Sequence, residues 1–256
     1  MKWKSLATLL VLVLLGIACG ASAPEATPTS TPLPPTSTSV PTETPTLVPT
    51  STPNLAATVA SKATQAAGDV RTELGEILKD EEIAYQEGKL LWQQETPLSI
   101  ELTGPEARYQ PFAEGETGKN FILKSDVTWE ATGILVCGFI FRSEPDLEQG
   151  KQYQFLYLRF SGAPAWAIEF YEFGYFKNSP TRIKYSGAVD LTNGATNQLV
   201  LVANAGEFTI FINGVRQGRY FDYSEQSKEG AFAILGSQDS GEGSCEYENT
   251  YVWELK

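Results

Sequence analysis

Downstream of about residue 98, hydrophobic and polar positions alternate in short runs divided by Gly, Pro, Asn and Asp. A period of two is the pattern of half-buried strands. The sharpest run is residues 207–218, EFTIFINGVRQG. Phe208, Ile210 and Ile212 alternate with Thr209 and Phe211. Asn213-Gly214 follows at once, the dipeptide that most readily takes the positive φ values of a tight hairpin. Val215 and Arg216 then begin a return strand. The same reading predicts strands at residues 98–103, 120–130, 134–142, 152–160, 165–173, 181–185, 198–204, 231–236 and 246–255. Many short strands with turn signals and no helical pattern predict an all-β sandwich or jelly roll over residues 91–256.

Upstream the period changes. Leu55, Val59, Ala63, Ala66, Val70, Leu74 and Ile77 form one apolar stripe at steps of three and four, a period of ~3.67. This predicts an amphipathic helix over residues 55–90, with Asn54 as its N-cap and Gly88 as its C-cap. Two roles stay open for it, an oligomerising stalk and a helix that docks on the sheet domain or stays solvated. Residues 19–54 are Pro/Thr/Ser repeats almost free of charge. They cannot bury a core and predict a disordered, polyproline-like tether, whose contour approaches ~100 Å at ~3.1 Å per residue. Residues 1–18 carry Lys2 and Lys4, then an apolar run from Leu6 to Ala18. That is a secretory signal, too short to prefer a stable span.

Composition removes several functions. A net charge of −12 and a pI near 4.6 argue against nucleic acid as partner. The chain has no histidine, which removes Ser-His-Asp and Cys-His catalysis and imidazole metal sites together. The cysteines are Cys19, Cys137 and Cys245. Cys19 stands where the apolar run stops. Ala18-Cys19-Gly20 after Leu14-Leu15 resembles the signal of bacterial lipoproteins, with Gly16 where that family prefers Leu. The resemblance implies lipidation of Cys19 and anchoring on the outer face of a membrane or on the cell surface. An ordinary cleaved signal is the alternative.

Cys137 lies in phase with Leu135, Phe139 and Phe141, and Cys245 with Tyr247, Tyr251, Trp253 and Leu255. Both thiols therefore point inward, and in an exported domain they predict a disulfide, the alternative being two free buried thiols. The order GILVCGFIFR, QYQFLYLRF, AWAIEFYEF, NQLVLVANAGEFTIFINGVRQG, GAFAILG and CEYENTYVWELK resembles the concanavalin A-like (laminin-G-like) jelly rolls. The nearest flavour is the bacterial domains related to family-16-type glycoside hydrolases and 3-keto-disaccharide hydrolases. The resemblance spans residues 120–256 and implies two stacked antiparallel sheets. The fold hosts lectins, hydrolases and adhesion modules alike.

Three constellations bear on chemistry. Glu169 and Glu172 stand in AIEFYEF, where the family-16 hydrolases carry Glu-x-Asp-x-x-Glu. The middle Asp is absent, and a separation of three sends the carboxylates to opposite faces of a flat strand. No catalytic residue is assigned. Asp239, Glu242, Glu246 and Glu248 gather oxygen ligands as a structural calcium site does, without a fixed ligand spacing. The third is a carbohydrate face. If Leu156, Leu158 and Phe160 are the core phase of their strand, Tyr157 and Arg159 point outward. With Trp166, Ile168 and Phe170 as core, Glu169 and Tyr171 also face out. Arg142, Tyr157, Arg159, Glu169 and Tyr171 then form the predicted ligand-binding set. The function expected is a membrane-anchored binding protein for glycan or another cell-surface ligand. A hydrolase or lyase of the same fold and a stalk-mediated assembly protein are the alternatives.

Overall fold

The computed structural model describes residues 55–160, 162–224 and 226–256. The predicted signal, the tether and Cys19 lie outside them. The described residues fall within one compact unit, Pro53–Lys256. In chain order they form α1 (Leu55–Ile77), β1 (Lys89–Gln93), β2 (Leu98–Thr103), β3 (Glu106–Phe112), β4 (Phe121–Ala131), β5 (Leu135–Ser143), β6 (Gln152–Phe160) and β7 (Ala163–Glu172). Next come β8 (Tyr175–Asn178), β9 (Lys184–Tyr185), β10 (Thr196–Asn204), β11 (Glu207–Ile212), β12 (Val215–Phe221), β13 (Ala231–Gln238) and β14 (Glu242–Glu254). The first sheet runs β1-β14-β4-β10-β11-β12, with β2 also on β14. The second runs β3-β13-β5-β6-β7-β8, with β9 on β7. Pairing between strands is antiparallel throughout the two sheets. This is the two-sheet jelly-roll sandwich that the alternation predicts.

The core lies between the sheets. Phe121, Leu123, Trp129, Leu201 and Ile210 from the first meet Phe139, Phe141, Phe155, Trp166 and Ile168 from the second. The predicted hairpin is present, with φ of 51° at Asn213 and 73° at Gly214, and Phe208, Ile210 and Ile212 fully buried. The predicted bridge is also present. Cys137 on β5 and Cys245 on β14 are bonded with Cα atoms 5.8 Å apart across 108 residues, so it joins the two sheets. The Tyr247 hydroxyl crosses the same gap, accepting from the Gly138 amide at 2.9 Å and reaching the Leu235 carbonyl at 2.6 Å.

The helix differs from expectation at its end. It stops at Ile77, and residues 78–88 turn back into β1. Gly88 does not cap it. A Cβ there would sit 2.2 Å from both the Trp253 indole nitrogen and the Glu254 carbonyl, so glycine is required by close packing on β14. The second half of the helix docks on the sandwich. Val70, Leu74 and Leu78 are buried on Ile122, Val200, Val202, Phe211, Tyr251, Trp253 and Leu255, the outer side of the first sheet. Val59, by contrast, is 58% exposed.

A bulge explains a second difference. The pairing of β14 with β4 shifts between Glu248 and Tyr251, at an Asn249 with φ of 49°. One extra residue reverses the side-chain phase. Cys245 and Tyr247 face the core, while Tyr251, Trp253 and Leu255 face the helix.

Candidate functional site

The helix covers one sheet, and the outer side of the second is where the predicted ligand-binding residues were expected. The structure divides them. Tyr157 is a core residue, buried with Tyr153 and Phe155. It is Leu156 and Leu158 that point outward, the reverse of the predicted phase. Both phases of QYQFLYLRF are apolar enough to be buried, and the amphipathic tyrosines settle inward because their hydroxyls find partners. Tyr157 accepts from the Asn197 side-chain amide, and the Asp190 carbonyl lies 3.5 Å from its hydroxyl. Burial pushes its phenol well above the ordinary tyrosine range, the Asn197 hydrogen bond only partly opposing it.

Arg142 is buried as well. The β5–β13 pairing is irregular between Ala231 and Ala233, and Arg142 has φ of 50°. The bulge sends Phe141 and Arg142 into the same end of the core. There Arg142 Nε donates to the Lys119 carbonyl at 3.0 Å, and the guanidinium lies over Phe208 and Phe121. Arg159 continues the inward phase at the far end of β6. It donates to Asn193 Oδ1 at 2.6 Å and to the Ala131 carbonyl at 3.3 Å, tying the 190s loop to β4. These three residues therefore do not share the outer face.

Glu169 and Tyr171 do, and Trp166, Ile168 and Phe170 are core as predicted. The Tyr171 hydroxyl donates to Glu169 Oε2 at 2.8 Å. Burial holds the Tyr171 phenol well above its usual range, and the neighbouring Glu169 carboxylate adds to the effect. Across the β6–β7 pair, Gln154 stands opposite Glu169 and Gln152 opposite Tyr171. Tyr109 reaches the group from β3. Its hydroxyl meets the Gln154 amide, although β3 and β6 are three strand spacings apart, ~14 Å in a flat sheet. The tyrosine lies over the apolar patch of Ile140, Leu156, Ala233 and Leu235 to do so. Beside it, a cleft of about 540 Å³ opens between Tyr109 and the loop carrying Asp146, Leu147 and Glu148. On the other flank Phe176 sits edge-on to Tyr171, centroids 6.1 Å apart, and Tyr185 stands opposite Ala165 on β7. The result is a strip with Tyr109 at one end and Phe176 and Tyr185 at the other, the Glu169 carboxylate and the Tyr171 phenol between them, and the buried amides of Gln152 and Gln154 beneath.

The carboxylates of Glu169 and Glu172 diverge as the spacing predicts. Glu172 is held by Lys151 and Lys177 at 3.4 and 3.7 Å on the sheet edge. The acidic loop does not gather into a metal cage. Asp239 accepts the Ile134 amide at 2.8 Å, and Glu246 and Glu248 are exposed on β14. Among the described residues no group of three or more acidic or thiol side chains converges as metal ligands.

Tyr185 falls in a predicted strand without a predicted role, and Tyr109, Gln154 and Phe176 escape sequence reading for separate reasons. β3 is masked by charges and Pro111, and β8 is only four residues long. Gln154 is lost with the inverted phase of β6. The signal that fixes that phase is present: Gln152 and Gln154 are the polar pair at alternate positions, and they mark the outward side.

No family model matches the chain, and no curated protein matches it. Among solved structures it is similar to the carbohydrate binding module CBM66 from Bacillus subtilis, at 14% identity over 64% of this chain and 94% of that one, TM-score 0.45. A Bacillus licheniformis β-glucanase is 12% identical over 64% of this chain and 82% of that one, TM-score 0.45. Sheep galectin-11 in complex with glycerol is 10% identical over 59% of this chain and 98% of that one, TM-score 0.40. No functional residue is carried over from them.

Proposed function

We propose that the protein is a lipid-anchored, extracytoplasmic glycan-binding module whose ligand lies along the outer face of the second sheet. The reading rests on one observation, the Tyr171–Glu169 hydrogen bond set among Gln154, Tyr109 and Phe176. Sugar rings present apolar C–H faces and hydroxyls that both donate and accept. A strip of rings beside fixed carboxylate, amide and phenol groups meets both demands. Anchoring follows from the leader and Cys19, whose lipid would hold the tether at the membrane.

A glycan array probed with the full chain tests the binding reading. Tyr171→Ala and Glu169→Gln each abolish or strongly weaken the signal while thermal unfolding stays near the parent. Retained binding in both variants defeats the site. For the anchor, Cys19→Ala moves the protein from the membrane fraction to the soluble one, and an unchanged distribution defeats that part alone.

A further inference from the structure

The chain is strongly acidic overall, yet residues 173–189, FGYFKNSPTRIKYSGAV, contain three cations and no acid. They form the β8–β9 edge of the strip. Phe173, Tyr175, Phe176, Ile183 and Tyr185 are all exposed there, by 46% to 72%. Lys177 lies over the Phe173 ring at 5.8 Å and shares Glu172 with Lys151. Among the described residues no carboxylate pairs with Arg182 or Lys184. Lys184 stands opposite the core residue Trp166, so it takes the other phase of β9 from Tyr185 and lies at the rim between the sheets, 5.6 Å from the centre of the Tyr220 ring.

Rings stack on the faces of sugars, while ammonium and guanidinium groups pair with carboxylates or sulfates. We propose that this edge binds an anionic polysaccharide that stacks on Phe176 and Tyr185 on the outer face and passes over the rim, where its charged groups meet Arg182 and Lys184. The inference rests on the glycan reading above and names the class of glycan. An anionic lipid surface offers the same charges. The edge, however, continues into a polar strip headed by the Glu169 carboxylate, which resists burial in a bilayer, so a hydrated polymer fits it better.

The test is affinity electrophoresis of the full chain in gels containing polygalacturonate, dextran sulfate or a neutral β-glucan, with flotation on phosphatidylglycerol vesicles in parallel. Retardation by an anionic polymer, relieved by salt, is the expected result. The pair Arg182→Glu with Lys184→Glu weakens it about tenfold or more, by loss and reversal of two contacts. Arg182→Gln with Lys184→Gln gives an intermediate loss and stands in if the reversal impairs folding. Retardation by neutral glucan alone, unmoved by salt or by these changes, overturns the charge inference and leaves the glycan reading standing. No retardation by any polymer overturns both. Flotation that depends on Arg182 and Lys184, without retardation by an anionic polymer, overturns the inference in favour of a membrane surface.

Discussion

The Tyr157 ring lies on the Trp129 indole across the sandwich, centroids 4.0 Å apart and planes 22° apart. A residue with the profile of a sugar platform is thus part of the fold. Tyr157→Ala is expected to cost about 3–5 kcal/mol, as large aromatic deletions from cores do. Denaturant unfolding measures this. Glycan binding per folded molecule should stay at the parent level, because the outer strip does not include the ring.

Cys137–Cys245 closes a loop of 108 residues between the sheets. Replacing both cysteines by serine should lower stability by roughly 2–5 kcal/mol. Comparing parent and variant by thermal unfolding, with and without reductant, checks the assignment. Reductant should lower the parent's transition toward that of the variant and leave the variant unmoved.

Leu74 is fully buried between α1 and the first sheet. Leu74→Ala should cost about 2–5 kcal/mol locally. Hydrogen exchange should then quicken in residues 70–78, while β5 and the Cys245 end of β14 remain protected. Equal loss of protection throughout would mean that the helix and sandwich unfold as one unit.

Stability should be insensitive to pH through the neutral range on account of the tyrosines and fall above about pH 10. Burial raises the phenols of Tyr153, Tyr157, Tyr171, Tyr247 and Tyr251 in the folded state. A raised folded value means that the folded state keeps its protons while the unfolded chain loses them. The stabilisation is therefore complete below the unfolded value and is lost as pH rises beyond it. Circular dichroism followed against pH, with phenolate absorbance at the same points, should show ionisation and unfolding together.

The alternation of Phe208, Ile210 and Ile212 and the Asn213-Gly214 turn were readable because one side of β11 is uniformly apolar and the turn has its own chemistry. The bridge was readable because Cys137 and Cys245 each share a phase with large core residues. Legibility failed where both phases are apolar, as in β6, and where one extra residue reverses the phase, as at Asn249 and Arg142. A bulge is set by pairing with distant strands and leaves no local mark. Of the predicted ligand set, Glu169 and Tyr171 were legible because Trp166, Ile168 and Phe170 mark the inward side without ambiguity. Tyr109 and Gln154 meet only through folding.

The docking of α1 also has a mechanical consequence. Tension applied at the start of α1 would reach the sandwich through the helix, in which residues 59–65 are exposed. The first buried contact in its path is Val70, followed by Leu74 and Leu78 on successive turns. The strands behind it are cross-braced by Cys137–Cys245 and share force broadside. Under such a load the helix is expected to yield before the sandwich, leaving the arrangement of Glu169 and Tyr171 on the second sheet undisturbed.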